Sequence, residues 1–137
     1  MTKLRVSIVE FLNTAPLVWG LTDGLLAGRY DLSFTTPALC AEALRSGQAD
    51  IALIPVIEYQ RIPDLVILPE MAVAAKGEVR SILLLAKKPV QMAKRIALDT
   101  SSRSSVALVH LLCRGLWDIS PEFVDAAPDA EAMLAGA

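Results

Sequence analysis

"RVSIVEFLNTAPLVWGL", Arg5 to Leu21, sets the fold class. Val6–Phe11 is a strand-sized apolar run, and Ala15–Leu26 reads as a helix with Pro16 suited to its first turn. Between them stand Asn13 and Thr14, a polar pair at the point where a buried strand gives way to a helix. Working outward, Asp31–Thr35 is a second strand, and Pro37–Ser46 a helix ended by Gly47 in the position just past its last turn. Asp50–Ile54 is a third strand, continuous in apolar residues and so expected to be covered on both faces. This β-α-β-α-β order predicts a parallel sheet with right-handed crossovers.

Further on, Leu65–Leu68 and Met71–Ala75 are strand-like, and Val79–Ala86 is a strong strand pattern. Lys87, Lys88 and Pro89 interrupt it. The alternation then restarts, with strands at Arg95–Leu98 and Glu122–Val124 and helices at Ser104–Leu116 and from Asp129 onward. The pattern predicts a first α/β lobe over residues 1–88 and a partial second α/β lobe over residues 89–137. A second lobe of two strands and two helices leaves sheet edges unpaired, so the chain is expected to be the front half of a longer two-lobed protein.

Composition narrows the function. Of the 137 residues, 54% are hydrophobic, which favours buried sheet. Lys and Arg number 13 against 15 Asp and Glu, a net charge of −2, and aromatics are 5%. A nucleic-acid partner, which needs a basic face or a stacking platform, is not expected. Nor is a membrane partner, because no apolar run approaches the roughly 20 residues of a spanning helix. The N-terminal "MTKLRVSIVEF" lacks the pattern of a signal peptide, which points to a cytoplasmic protein. Cys40 and Cys113, far apart and each in a helical pattern, are expected as buried reduced thiols. No Cys, His and carboxylate cluster has metal-ligand spacing, so no metal is expected.

In open α/β sheets ligands bind beyond the carboxyl ends of the strands. The polar residues there are Asn13 and Thr14, Thr35 and Thr36, Glu58 and Tyr59, and the run "DTSSRSS" at Asp99–Ser105; Ser81 lies near the start of the Val79–Ala86 run. The Asp99–Ser105 run places five hydroxyl residues and Arg103 on a strand-to-helix turn. Free backbone N–H groups and the helix dipole suit such a turn to an anion, and the hydroxyls are donors sized for a carboxylate. Plain helix capping explains the same residues. Asn13 likewise either caps the helix at Ala15 or contacts a ligand. Glu58 fits a solvated or backbone-bonding loop acid, Arg80 a surface charge, and His110, in mid-helix, a packing or surface role. No residue offers an obvious base near neutral pH, so an enzyme built on this chain either needs little acid–base power from the protein or takes it from the substrate.

The blocks "VSIVEFLNTAPLVWGL", "GQADIALIPVIEY", "GEVRSILLLAKKPV" and "IALDTSSRSSVALVHLLC" together resemble chorismate dehydratase of the futalosine route to menaquinone, in order and at matching intervals. The related 1,4-dihydroxy-6-naphthoate synthase is a weaker match, since its opening block differs and His110 does not correspond to its catalytic histidine. The resemblance implies a two-lobed fold like the periplasmic binding proteins (type II), with the ligand in the cleft between lobes. It implies loss of water from chorismate to give 3-[(1-carboxyvinyl)oxy]benzoate, without a metal or organic cofactor. Carried over by position, Asn13 would bond the substrate near the reacting hydroxyl and Ser81 would contact it from the first lobe. Thr100, Ser101, Ser102 and Ser104 would hold a substrate carboxylate; Thr14 and Glu58 complete the expected binding set. Family members are roughly twice as long as this chain, at a size usual for two domains, so isolated inactivity and a homodimer or domain swap are also expected. The competing reading is a non-catalytic module that binds a small carboxylate.

Overall fold

Strand β1, Arg5–Val9, forms where the β-branched Val6, Ile8 and Val9 favour an extended chain. In the computed structural model, which describes residues 2–136, β1 is the middle strand of a parallel sheet of order β2-β1-β3. The flanking strands are β2, Asp31–Thr35, and β3, Ile51–Ala52. Val6 pairs with Leu32 on one side and Ile51 on the other, and Ile8 pairs with Phe34. Parallel neighbours cannot be joined by a tight turn; helices α1, Ala15–Thr22, and α2, Pro37–Arg45, make the crossovers.

Residues Val6–Val9 are all buried, as befits a strand covered on both faces. Val6 and Ile8 pack with Val18 and Leu17 of α1 and with Tyr30, Leu32 and Ile51. The two-residue period of a strand turns Ser7 and Val9 the other way. The fully buried Cys40 and Ala41 of α2 belong to the helix packed on β1. Helix α2 starts on an N-cap, Thr36, whose hydroxyl accepts from Leu39 N at 3.4 Å, with Pro37 next. It stops at Gly47, whose φ of 68° is the left-handed geometry that glycine adopts without strain.

The second sheet pairs β4, Arg95–Asp99, with β5, Glu122–Ala126, in parallel, through helix α3, Arg103–Gly115; α4, Ala130–Gly136, follows. Ile96, Leu98 and Cys113 form its buried centre, with Val106, Val109, Trp117 and Phe123 against them. Both cysteines are free and buried, as expected. The chain groups into two compact units, Met1–Gly77 and Glu78–Ala137, so residues 78–88 fall with the second. Among the described residues no helix is long and apolar enough to cross a membrane.

The mixed α/β class and the parallel pairing agree with the sequence pattern. Three expected strands do not form: residues 65–68, 71–75 and 79–86 are irregular. A strand needs a neighbour to satisfy its N–H and C=O groups, and neither sheet offers these segments one. Their side chains are consequently bare, with Val66, Ile67 and Leu83 at 86%, 63% and 70% exposure. The third strand is also shorter than expected and only half-buried, because β1 alone pairs with it. Helix α1 ends at Thr22 rather than Leu26. Asp23 donates to Trp19 O as in a regular helix, and Gly24 donates to the same oxygen across a wider closing turn that sets Gly24 against Gly20, where a side-chain carbon would sit 2.7 Å from Gly20 Cα.

Candidate functional site

In the first unit, β1 leads into a single 3₁₀ turn, Leu12–Thr14, closed by Thr14 N donating to Phe11 O at 2.9 Å. Asn13 is exposed on this turn. It does not cap α1: the N-cap is Thr14, and no side-chain cap bond forms there. The capping role that competes with ligand contact at Asn13 is therefore not taken up. Thr14, by contrast, is 2% exposed and part of the interior. Beside this turn an apolar groove of about 440 Å³ runs between α1 and β2, lined by Phe11, Trp19 and Phe34 with Glu10 and Asp23 at its rim. A second depression, about 570 Å³, lies at the opposite, amino ends of the strands around Arg5, Asp31 and Asp50. There Arg5 grips Asp50 with Nη2 at 2.7 Å and Nε at 3.1 Å, so its charge is already neutralised.

Beyond β3 the chain forms a 3₁₀ turn, Val56–Gln60. Glu58 on this turn is not the solvated loop acid the sequence suggests. It is fully buried, accepting from Arg45 Nη2 at 2.6 Å and from Arg61 Nη1 at 3.0 Å. A buried carboxylate survives only with compensating charge, and the two arginines, themselves part exposed, supply it. Arg45 also holds Glu42 at 2.6 Å, and these hydrogen bonds, Glu42 first and Glu58 second, push the guanidinium pKa up further. Glu58 thus fastens the turn after β3 to the end of α2, and its oxygens are engaged within the framework. The sequence signal for this was present but indirect: Arg61 three residues on, and Arg45 in the last turn of a helix.

In the second unit, β4 runs into the hydroxyl-rich turn before α3. Asp99 organises it: Oδ1 accepts from Ser101 N at 2.9 Å and from Ser101 Oγ at 2.6 Å, while Asp99 O accepts from Ser102 N. Ser102 is the N-cap residue of α3, yet it makes no side-chain cap bond; its hydroxyl pairs with Ser105 Oγ at 2.7 Å. Thr100 is exposed. Ser104 Oγ is buried with no hydrogen-bond partner. The first helical N–H to find an acceptor within the turn is that of Val106, bonded to Ser102 O, so the amides of Ser104 and Ser105 keep the free donors of a helix start. Capping, the plain explanation of this serine-rich run, is not what its hydroxyls do. Ser81 lies exposed in a turn outside both sheets. His110 packs against Phe123 with ring centroids 4.0 Å apart, in the packing role expected for it.

These features define a class: small parallel α/β units whose polar side chains and free helix-start amides collect beyond strand carboxyl ends, where such folds bind small molecules. The chain belongs to the family described as menaquinone biosynthesis, which it matches over residues 4–137. It is 33% identical over 115 residues to the chorismate dehydratase of Thermus thermophilus. That alignment covers 83% of this chain and 41% of the relative, so the chain spans less than half of the relative's length.

Proposed function

We propose that the protein acts in menaquinone biosynthesis as a chorismate dehydratase, a hydro-lyase that converts chorismate to 3-[(1-carboxyvinyl)oxy]benzoate in the cytoplasm. The observation that carries this reading is the start of α3. It combines the free amides of Ser104 and Ser105, an unpartnered Ser104 hydroxyl and no side-chain cap, which together suit a carboxylate, and chorismate carries two. The family match and the similarity to a chorismate dehydratase supply the substrate.

In this reading Thr100, Ser101, Ser102 and Ser104 hold a substrate carboxylate, with Ser101 oriented by Asp99. Asn13 and Ser81 bond the substrate near the departing hydroxyl. Thr14 and Glu58 act indirectly, by fixing the turns after β1 and β3. The ring C–H beside the ether loses its proton, the neighbouring C–O bond breaks, and the ring becomes aromatic as water departs. Aromatisation provides the driving force, so the protein's task is orientation and charge placement. The substrate's own enolpyruvyl carboxylate receives the proton and passes it to the departing hydroxyl, so that water leaves and the carboxylate is restored; this fits the absence of a protein base on the Thr100–Ser104 turn. The two-lobed, periplasmic-binding-protein-like arrangement, with the lobe boundary at residues 88 and 89, is part of the same proposal.

Incubation with chorismate, followed by ultraviolet absorbance and mass, tests it. Formation of the aromatic product supports the enzyme. Chorismate-dependent protection of the fold without product supports carboxylate binding and counts against catalysis by this chain alone. If neither is seen, both readings fall.

A further inference from the structure

The turn between β4 and α3 holds an acid beside a helix start that favours anions. Asp99 and Arg103 are the charged residues of the run Asp99–Ser105, so it has no net charge. Asp99 also consumes donors. Its Oδ1 accepts from Ser101 N at 2.9 Å and from Ser101 Oγ at 2.6 Å, and its carbonyl accepts from Ser102 N at 3.1 Å. Thr100 N is spent on Ala126 O at 3.4 Å. The amides of Thr100, Ser101 and Ser102 are thus turned to the framework. In glycine-rich phosphate loops, by contrast, a run of N–H groups faces the anion. The donors left at the start of α3 include the amides of Ser104 and Ser105, the unpartnered Ser104 hydroxyl, and the hydroxyl proton that Ser102 and Ser105 do not share. A carboxylate, with about four lone-pair sites, suits so short a set. A tetrahedral dianion asks for more donors and brings twice the charge.

We propose that Asp99 is the selectivity residue of this site, acting through Ser101: it admits a carboxylate and rejects sulfate, phosphate and phosphate esters. It occupies the Ser101 hydroxyl as a ligand carboxylate would. A bound carboxylate gains that donor only by displacing Asp99, while Ser101 N–H stays on Asp99 and keeps the turn in shape. The charge of Asp99 opposes any anion, and opposes a dianion twice as strongly. This rests on the reading of the α3 start as a carboxylate site and deepens it by naming the anions that the site refuses.

Calorimetric titration of the whole chain with chorismate and with sodium sulfate tests this. The native chain should bind sulfate at least ~100-fold more weakly than chorismate. Asp99→Asn keeps an acceptor Oδ1 for Ser101 N–H and removes the charge. It should tighten chorismate about 10-fold and sulfate about 100-fold, since the Coulomb energy doubles for a dianion and the fold-change squares. Ser101→Ala should cost chorismate little in the native chain, where Asp99 holds the hydroxyl. On top of Asp99→Asn it should cost about 10-fold, because the hydroxyl is then released to the ligand. Weaker chorismate binding by Asp99→Asn, or a gain for sulfate no larger than for chorismate, overturns the role of Asp99 and leaves the carboxylate site standing. A loss of about 10-fold from Ser101→Ala alone overturns it as well, and needs no folded Asn variant. Absence of chorismate binding in both the native and the Asp99→Asn chains removes the site, and this proposal with it.

Discussion

Replacing Glu58 by Gln keeps the side chain's shape and removes its charge, which isolates the ion pairs that fasten the turn after β3. Glu58 accepts from Arg45 at 2.6 Å and from Arg61 at 3.0 Å with no exposure of its own. A glutamine can accept from one arginine through Oε1, but its NH₂ then faces the other guanidinium, donor against donor. One charge-assisted hydrogen bond, about 1.5–3 kcal/mol, is lost and a buried donor is left without a partner. The arginines are 37% and 47% exposed and regain water, so part of the loss is offset. The expected net destabilisation is about 2–4 kcal/mol, a large share of the roughly 5–15 kcal/mol that holds a typical domain. Glu58→Leu should cost less than Glu58→Gln, because it removes the buried charge and leaves no unpaired polar atom. Urea denaturation followed by native-state hydrogen exchange at Ile62, whose N–H donates to Glu58 O at 2.9 Å, reads the affected turn directly. A Glu58→Gln change below ~0.5 kcal/mol, the range of ordinary surface substitutions, or a Leu variant weaker than the Gln variant, would refute the reasoning.

Three further expectations follow from the same geometry. Ser104→Ala removes a buried hydroxyl that has no partner, so stability should hold or rise slightly, while chorismate affinity falls about 10-fold or more through loss of a bond to a charged group; calorimetry against thermal melting separates the two, and Asn13→Ala should likewise weaken binding without unfolding. Hydrogen bonding to Arg5 holds the Asp50 carboxyl at about 2, below its ordinary 3.8; the pair therefore stabilises the fold above pH 3.8 and is lost as pH falls toward 2, and Arg5→Gln should return the NMR titration midpoint of Asp50 toward its ordinary value. Burial pushes both thiols up, so a thiol reagent at mildly alkaline pH should label neither cysteine until denaturant is added.

What was legible from the chain is what short-range pattern fixes. The period-2 and period-3.6 runs located β1, β2, α2, β4, α3 and β5 within a residue or two, and the polar residues at strand ends marked Asn13 and the Thr100–Ser105 turn as candidates. Pro37 and Gly47 bounded α2 through turn chemistry that acts over three or four residues, whereas Thr36, read only as a polar residue at a strand end, is its N-cap in the structure. The tertiary structure decided the rest, because those outcomes depend on partners far along the chain. Val79–Ala86 has the composition of a strand, but composition cannot supply the neighbour that a ladder requires. Glu58 looks like a loop acid until Arg45, thirteen residues away, is brought onto it. Asn13 looks like a cap until the 3₁₀ turn hands the N-cap position to Thr14. The sequence by itself determined which segments could be strand or helix and where a ligand could be met. Only the folded chain decided which polar groups were already spent on one another, since hydrogen bonding and burial are properties of pairs and not of single residues.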